Sequence, residues 1–154
     1  MTHFLKAGII AATLGLGLGL SFAAQADEAT DNAATQSRQH LMSGIGGAMG
    51  TLGCYMKGEC ALPDPVVANL AKGVAYAASA APGAFETATP DATIKTTAKA
   101  DIWSDWDKFA PQFAVLEENA LKLAAVAGDK AAMGPLLGEV GKSCKGCHDD
   151  FRSK

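Results

Sequence analysis

DIWSDWDKFAPQFAVLEENALKL, residues 101–123, is the stretch on which the fold turns. Ile102, Trp106, Phe109, Phe113, Leu116, Ala120 and Leu123 recur at steps of 4, 3, 4, 3, 4 and 3. That spacing is the seam of a helix packed against other helices, and no alternating strand pattern competes with it. Pro111 lies inside the seam, and its missing N–H predicts a kink near Asp107, whose carbonyl loses its partner.

Three further helical stretches flank this one. Met42, Ile45, Met49 and Leu52 step by 3, 4 and 3 within a first helix expected over Asp31–Leu52. A second opens at Asp64-Pro65, read as an N-cap followed by proline, carries Val67, Leu70, Val74, Ala77 and Ala81, and ends at Pro82-Gly83. A last helix reaches Phe151 from either Asp129, a capping residue, or Pro135, suited to a first helical position. Residues 82–100 form a long Thr-, Ala- and Pro-rich connection of the kind that wraps around something. The expected fold is all-α: an antiparallel up-and-down four-helix bundle.

Residues 1–26 differ from the rest. A short charged start (His3, Lys6), an apolar run from Ala7 to Phe22 and then Ala24-Gln25-Ala26 read as a secretory signal cleaved before Asp27. The apolar run is shorter than the roughly 20 residues of a membrane span, so no membrane insertion is expected after cleavage. Residues 27–154 suffice for one domain. Their net charge is −4, from 12 basic and 16 acidic residues, and no basic stripe invites nucleic acid. Export implies a periplasmic, oxidising location in which cysteines are paired or committed to a cofactor.

Cys144-Lys145-Gly146-Cys147-His148 is the most specific signal. C-x-x-C-H attaches c-type haem: each thiol adds to a vinyl group, and the histidine is placed to bind iron. A thioredoxin-like redox pair would follow a strand, which is missing. A four-cysteine zinc site would need a second tight pair, whereas Cys54 and Cys60 are six apart. A plain disulfide between Cys144 and Cys147 leaves His148 unexplained.

With that motif at the end of the last helix, the chain resembles the cytochrome c′ family of class II c-type cytochromes. The resemblance covers essentially all of residues 27–154. It rests on Arg38-Gln39, Lys57-Gly58-Glu59, Ile102-Trp103 and Val140-Gly141-Lys142-Ser143-Cys144 leading to Cys147-His148, with Arg152 behind. It implies one covalent haem c on Cys144 and Cys147, with His148 as proximal ligand. It also implies that Arg152 shares the proximal pocket, that Arg38 and Gln39 touch the haem edge and propionates, and that Thr96, Thr97 and Lys99 approach the haem. Spacing alone puts Arg152 on the face of His148, although a solvated cation at a helix C-terminus is an equally open reading.

The residue four after the helix-one arginine sits over the distal face in this family, and here it is Met42. Methionine coordination implies a six-coordinate electron carrier, similar to the low-spin cytochromes c-556 and c-554, exchanging electrons with exported redox partners. If Met42 stands aside, the resemblance implies a five-coordinate site for nitric oxide or carbon monoxide. Enzyme activity is not expected: a peroxidase-like site needs a distal acid–base group, and His40, roughly 200° around the helix from Met42, faces away. Met49 and Met56 read as core and loop residues.

Cys54 and Cys60 depart from the family pattern. In an oxidising compartment they are expected to form a local disulfide after Gly53, which is read as the end of helix one. The glycines of SGIGGAMG, residues 43–50, do not make a phosphate loop. Position 49 is Met, no strand precedes the segment, and no Gly-Lys-Ser/Thr follows. Haem contact and close helix packing are the expected compensation for their helix cost. Pairing through the first two helices is frequent in the family, so the resemblance leaves room for a homodimer without fixing the assembly.

Overall fold

The computed structural model describes residues 17–154, with side chains from Asp27 onward. Of the expected signal segment, residues 1–16 therefore lie outside the described residues. The elements are α1 (Gly17–Lys57), α2 (Asp64–Phe85), α3 (Asp101–Ser104), α4 (Trp106–Phe109), α5 (Pro111–Ala125) and α6 (Lys130–Phe151). Among the described residues the only β pairing is a single antiparallel bridge between Ala98 and Arg152. No described helix is long and apolar enough to cross a membrane.

Every helix exists where periodicity put it, but the ends move. α1 begins before Asp31, because the Ala-rich run from Ser21 to Thr30 contains no helix breaker. It also passes through Gly53 and stops at Gly58, whose φ of 77° is the left-handed turn that glycine adopts freely. There the amides of Gly58 and Glu59 donate to the Tyr55 and Cys54 carbonyls, each at 3.0 Å. α2 absorbs Pro82 and Gly83 and runs on to Phe85. Its N-cap is Pro63 and not Asp64, which is the first helical residue. Of the two starts open for the last helix, the first holds: the Asp129 carboxylate accepts from the amides of Ala131 and Ala132, at 3.0 and 3.1 Å.

The largest correction falls on residues 101–125. In place of one kinked helix there are three pieces, broken at Asp105 (φ −122°, ψ 38°) and at Ala110. Pro111 lacks the amide that would continue a helix, yet its fixed φ suits the first turn of a new one, so it opens α5. The seam survives the breaks, since Ile102, Phe109, Phe113, Leu116, Ala120 and Leu123 are all buried.

α1 packs on α2, α2 on α5 and α5 on α6, which builds an antiparallel four-helix bundle whose third helix is the α3–α5 run. Two apolar clusters fill it. One joins Leu52, Val67, Val74, Leu123, Met133 and Val140. The other gathers Phe85, Ile102, Phe109, Phe113 and Phe151 at the end where the broken helix turns. Phe109 stands at the centre of this second cluster, edge-on to Phe85, Phe113 and Phe151 with ring centroids 5.1–5.2 Å apart.

Gly128 joins α5 to α6 at φ 97°, and a Cβ there would lie 2.6 Å from the Asp64 carboxylate. Gly128→Ala is therefore expected to cost about 1–2 kcal/mol from the backbone alone. A thermal melt of the folded protein reads this as a lowered Tm; an unchanged Tm would show that the turn relaxes freely.

Candidate haem cavity

α1 and α6 pack little against each other, and a cavity of about 700 Å³ occupies the space between them. α1 supplies Arg38, Met42, Ile45 and Met49, which lie on one face at helical spacing, together with Gln39 and Gly46. α6 supplies Cys144, Cys147, His148 and Phe151, again one face, with Arg152 just beyond. Phe85, Ile102, Phe109, Phe113 and Leu116 form the apolar back wall, and Thr96 and Thr97 of the connection form a polar edge. Residues read from the sequence as touching the prosthetic group thus all meet around one cavity, except Lys99.

Lys99 instead holds the C-terminal tail, its Nζ donating to the Asp150 carbonyl at 2.6 Å. Met49, expected in the core, lines the cavity as well as packing on it. Met56 is half-buried against the core beneath Gly134. His40 is exposed and outside the lining. Cys54 and Cys60 are joined to each other, Cα atoms 5.6 Å apart, and also lie outside the lining. The phenylalanine wall was the part that sequence reading missed as site. Its signal was present in the seam of residues 102–116, but a buried aromatic looks the same whether it meets a neighbour or a cofactor.

The glycines of α1 need a different account from the one expected. A Cβ added at Gly44, Gly46, Gly47 or Gly50 would meet nothing within 4 Å, so no intramolecular close approach demands them. Gly46 alone among these four lines the cavity.

Charge in the cavity is one-sided. Among the described residues Arg38, His148 and Arg152 line it, and no carboxylate does. Burial pushes the Cys147 thiol up to about 11, with Asp150 and Cys144 adding to the rise, and burial likewise raises Cys144. For His148, burial first and then nearby Arg152 push the pKa down, against a smaller opposing pull from Asp149, so the neutral imidazole is favoured.

Arg38 is 5% exposed, and burial depresses its pKa, with Asp31 pulling the other way. Its Nε donates to the Ala84 carbonyl (2.7 Å), its Nη1 to the Thr89 hydroxyl (3.0 Å) and its Nη2 to the Thr87 carbonyl. The guanidinium also lies 5.4 and 5.3 Å from the ring centroids of Phe85 and Trp103. The fork expected to face a carboxylate is turned onto two main-chain oxygens and a hydroxyl.

Residues 33–152 match the family described as Cytochrome C'. The chain belongs to the cytochrome c′ family. It is 36% identical over 129 residues to a cytochrome c′ of Rhodospirillum rubrum, covering 82% of this chain and 86% of that one. It is 32% identical over 125 residues to a cytochrome c-556 of Agrobacterium tumefaciens, covering 80% and 98%. Among solved structures, a nitric oxide complex of a mutant cytochrome c prime from Alcaligenes xylosoxidans matches with a TM-score of 0.68 at 27% identity, covering 80% of this chain and 97% of that one. As a cytochrome c′ family member the chain binds one covalent haem c. The cavity suits that group: apolar walls for a macrocycle, two unpaired cysteines and a histidine on one helix face, and arginine with hydroxyl groups at the rim.

Proposed function

We propose that this protein is an exported, periplasmic electron carrier. Cys144 and Cys147 would hold the haem by thioether bonds, each formed by S–H addition across a vinyl group. His148 and the Met42 sulfur would be the ligands of its iron. The haem supplies a reversible one-electron change at its iron. The chain orients the haem, excludes water through Phe85, Phe109 and Phe113, and offers a neutral imidazole from α6. The observation carrying this reading is that Met42 of α1 and His148 of α6 line one cavity from the two helices that flank it. A lining to which no described residue brings a carboxylate, and with His40 outside it, favours a carrier over a peroxidase-like enzyme. Its partners are exported redox proteins. A second copy could pair through the exposed face of α1 and α2, where Tyr76 is 65% exposed.

A second reading is favoured by the Alcaligenes xylosoxidans relative, whose description is of a nitric oxide complex. In that reading Met42, which packs against both apolar clusters, is a wall residue and leaves the distal position open to small gases. The visible spectrum decides between the two. Sharp low-spin reduced bands, unmoved by carbon monoxide, are expected, and Met42→Ala should convert them to a high-spin spectrum that responds to the gas. A parent protein that already binds carbon monoxide at once, with a Met42→Ala spectrum like its own, would sink the methionine-ligated carrier.

A further inference from the structure

We infer that Arg38 is a positioning residue, which fastens the connection between α2 and α3 as a strap over one side of the haem cavity and so keeps water from it. The strap, residues 86–100, is held at four places, one of them the bond from Gln39 Nε2 to the Lys95 carbonyl at 2.8 Å. Arg38 grips the last turn of α2 through the Ala84 carbonyl and the start of the strap through the Thr87 and Thr89 oxygens, and the Thr89 hydroxyl also bonds to that of Thr35, which is 1% exposed. The turn of α1 at Asp31 and Asn32 holds its middle: Asp31 accepts from the amide of Asp91 at 2.9 Å, and Asn32 Oδ1 accepts from those of Thr93 and Ile94 at 2.8 and 3.0 Å. The C-terminal tail holds its end, where Lys99 N–H donates to the Phe151 carbonyl at 3.0 Å and Ser153 N–H to the Thr97 carbonyl at 2.8 Å.

Beside the last of these fastenings, Thr96 and Thr97 line the cavity. The strap is thus a wall of the site, and it is made of a segment with no helix of its own. Such a segment keeps its place through bonds to its neighbours, from side chains along its first part and from main chain at its end. Arg38 is the one fastening that is cationic, buried and itself part of the cavity lining. No carboxylate ion-pairs with it among the described residues, so carbonyl oxygens and two aromatic faces carry its solvation. Loss of Arg38 frees the 84–89 turn and, through the Thr93 to Thr97 run, opens an edge of the cavity to water.

The test uses the haem-loaded protein with three substitutions: Arg38→Met, which removes fork and charge; Arg38→Lys, which keeps the charge only; and Thr89→Val, which is neutral and outside the cavity lining. Amide hydrogen exchange in peptides covering residues 87–97 should accelerate more than tenfold in Arg38→Met, which loses three bonds. The acceleration should be smaller, about fivefold, in Thr89→Val, which loses the bonds to Arg38 and Thr35 but keeps those from Arg38 to the Ala84 and Thr87 carbonyls. Peptides of α5 should keep the parent rate. The reduction potential should fall in all three variants, because water at the haem favours the oxidised charge. If Arg38→Met fails to fold, Arg38→Lys and Thr89→Val carry the same comparison. Unchanged exchange over residues 87–97 in the Arg38 variants would overturn the strap. So would a potential that drops only in Arg38→Met while Arg38→Lys and Thr89→Val match the parent, since charge alone would then account for it.

Discussion

Changing Cys144 and Cys147 together to serine should separate the pigment from the polypeptide. The parent chain is expected to keep its haem through acidified-solvent extraction and to stain for haem after denaturing electrophoresis; the double variant should do neither. Each single variant should retain a weaker stain, because one thioether remains. Both cysteines are half-buried on the cavity face of α6 and bonded to nothing else, whereas Cys54 and Cys60 are bonded to each other outside the cavity. A haem stain that survived in the double variant and vanished in a Cys54/Cys60 variant would place attachment elsewhere and overturn the assignment. Loss of haem should also lower the thermal midpoint by a wide margin. A dry void approaching 700 Å³ would cost more than the entire roughly 5–15 kcal/mol stability of a domain, so the walls would have to flood or collapse.

Phe109→Ala should be the most damaging single change to the fold. The ring is 2% exposed and touches Phe85, Trp106, Phe113 and Phe151, so one deletion unseats the back wall of the cavity and the end of α6 together. Large-to-small changes at such sites cost about 3–5 kcal/mol. Denaturant titration should show this as a fall in the unfolding midpoint, and the visible spectrum should change with it, because the ring also lines the cavity. Val115→Ala on the neighbouring helix, at a site 53% exposed, should shift stability by no more than about 0.5 kcal/mol. Equal losses in the two variants would mean that the aromatic cluster does not anchor this end of the bundle.

Which features were legible in the sequence follows from the range of the interactions behind them. Helix existence depends on contacts three and four residues apart, so the seams at 42–52, 67–81, 102–123 and 133–151 announced four helical stretches. Cys144-Lys145-Gly146-Cys147-His148 was equally plain, because its chemistry is contained in five consecutive residues. Helix ends were less legible. Gly53 and Gly58 offer the same chemistry for a stop, and only the latter takes the left-handed turn. Pro111 was read as a kink because its missing amide is local knowledge, while its use as a first helical residue depends on how the preceding turns pack.

The sequence by itself determined an all-helical chain with its haem-binding chemistry on the last helix, since periodicity and a contiguous motif are properties of neighbouring residues. Only the tertiary structure decided that α1 and α6 stand apart to leave a cavity, that a wall of phenylalanines backs it, and that Arg38 grips the strap. Arg38 and its acceptors are 46 to 51 residues apart, and Asn32 and Ile94 are 62 apart. Bonds of that span join a helix to an aperiodic loop, so they leave no repeat in the sequence and exist only once the bundle has brought the two together.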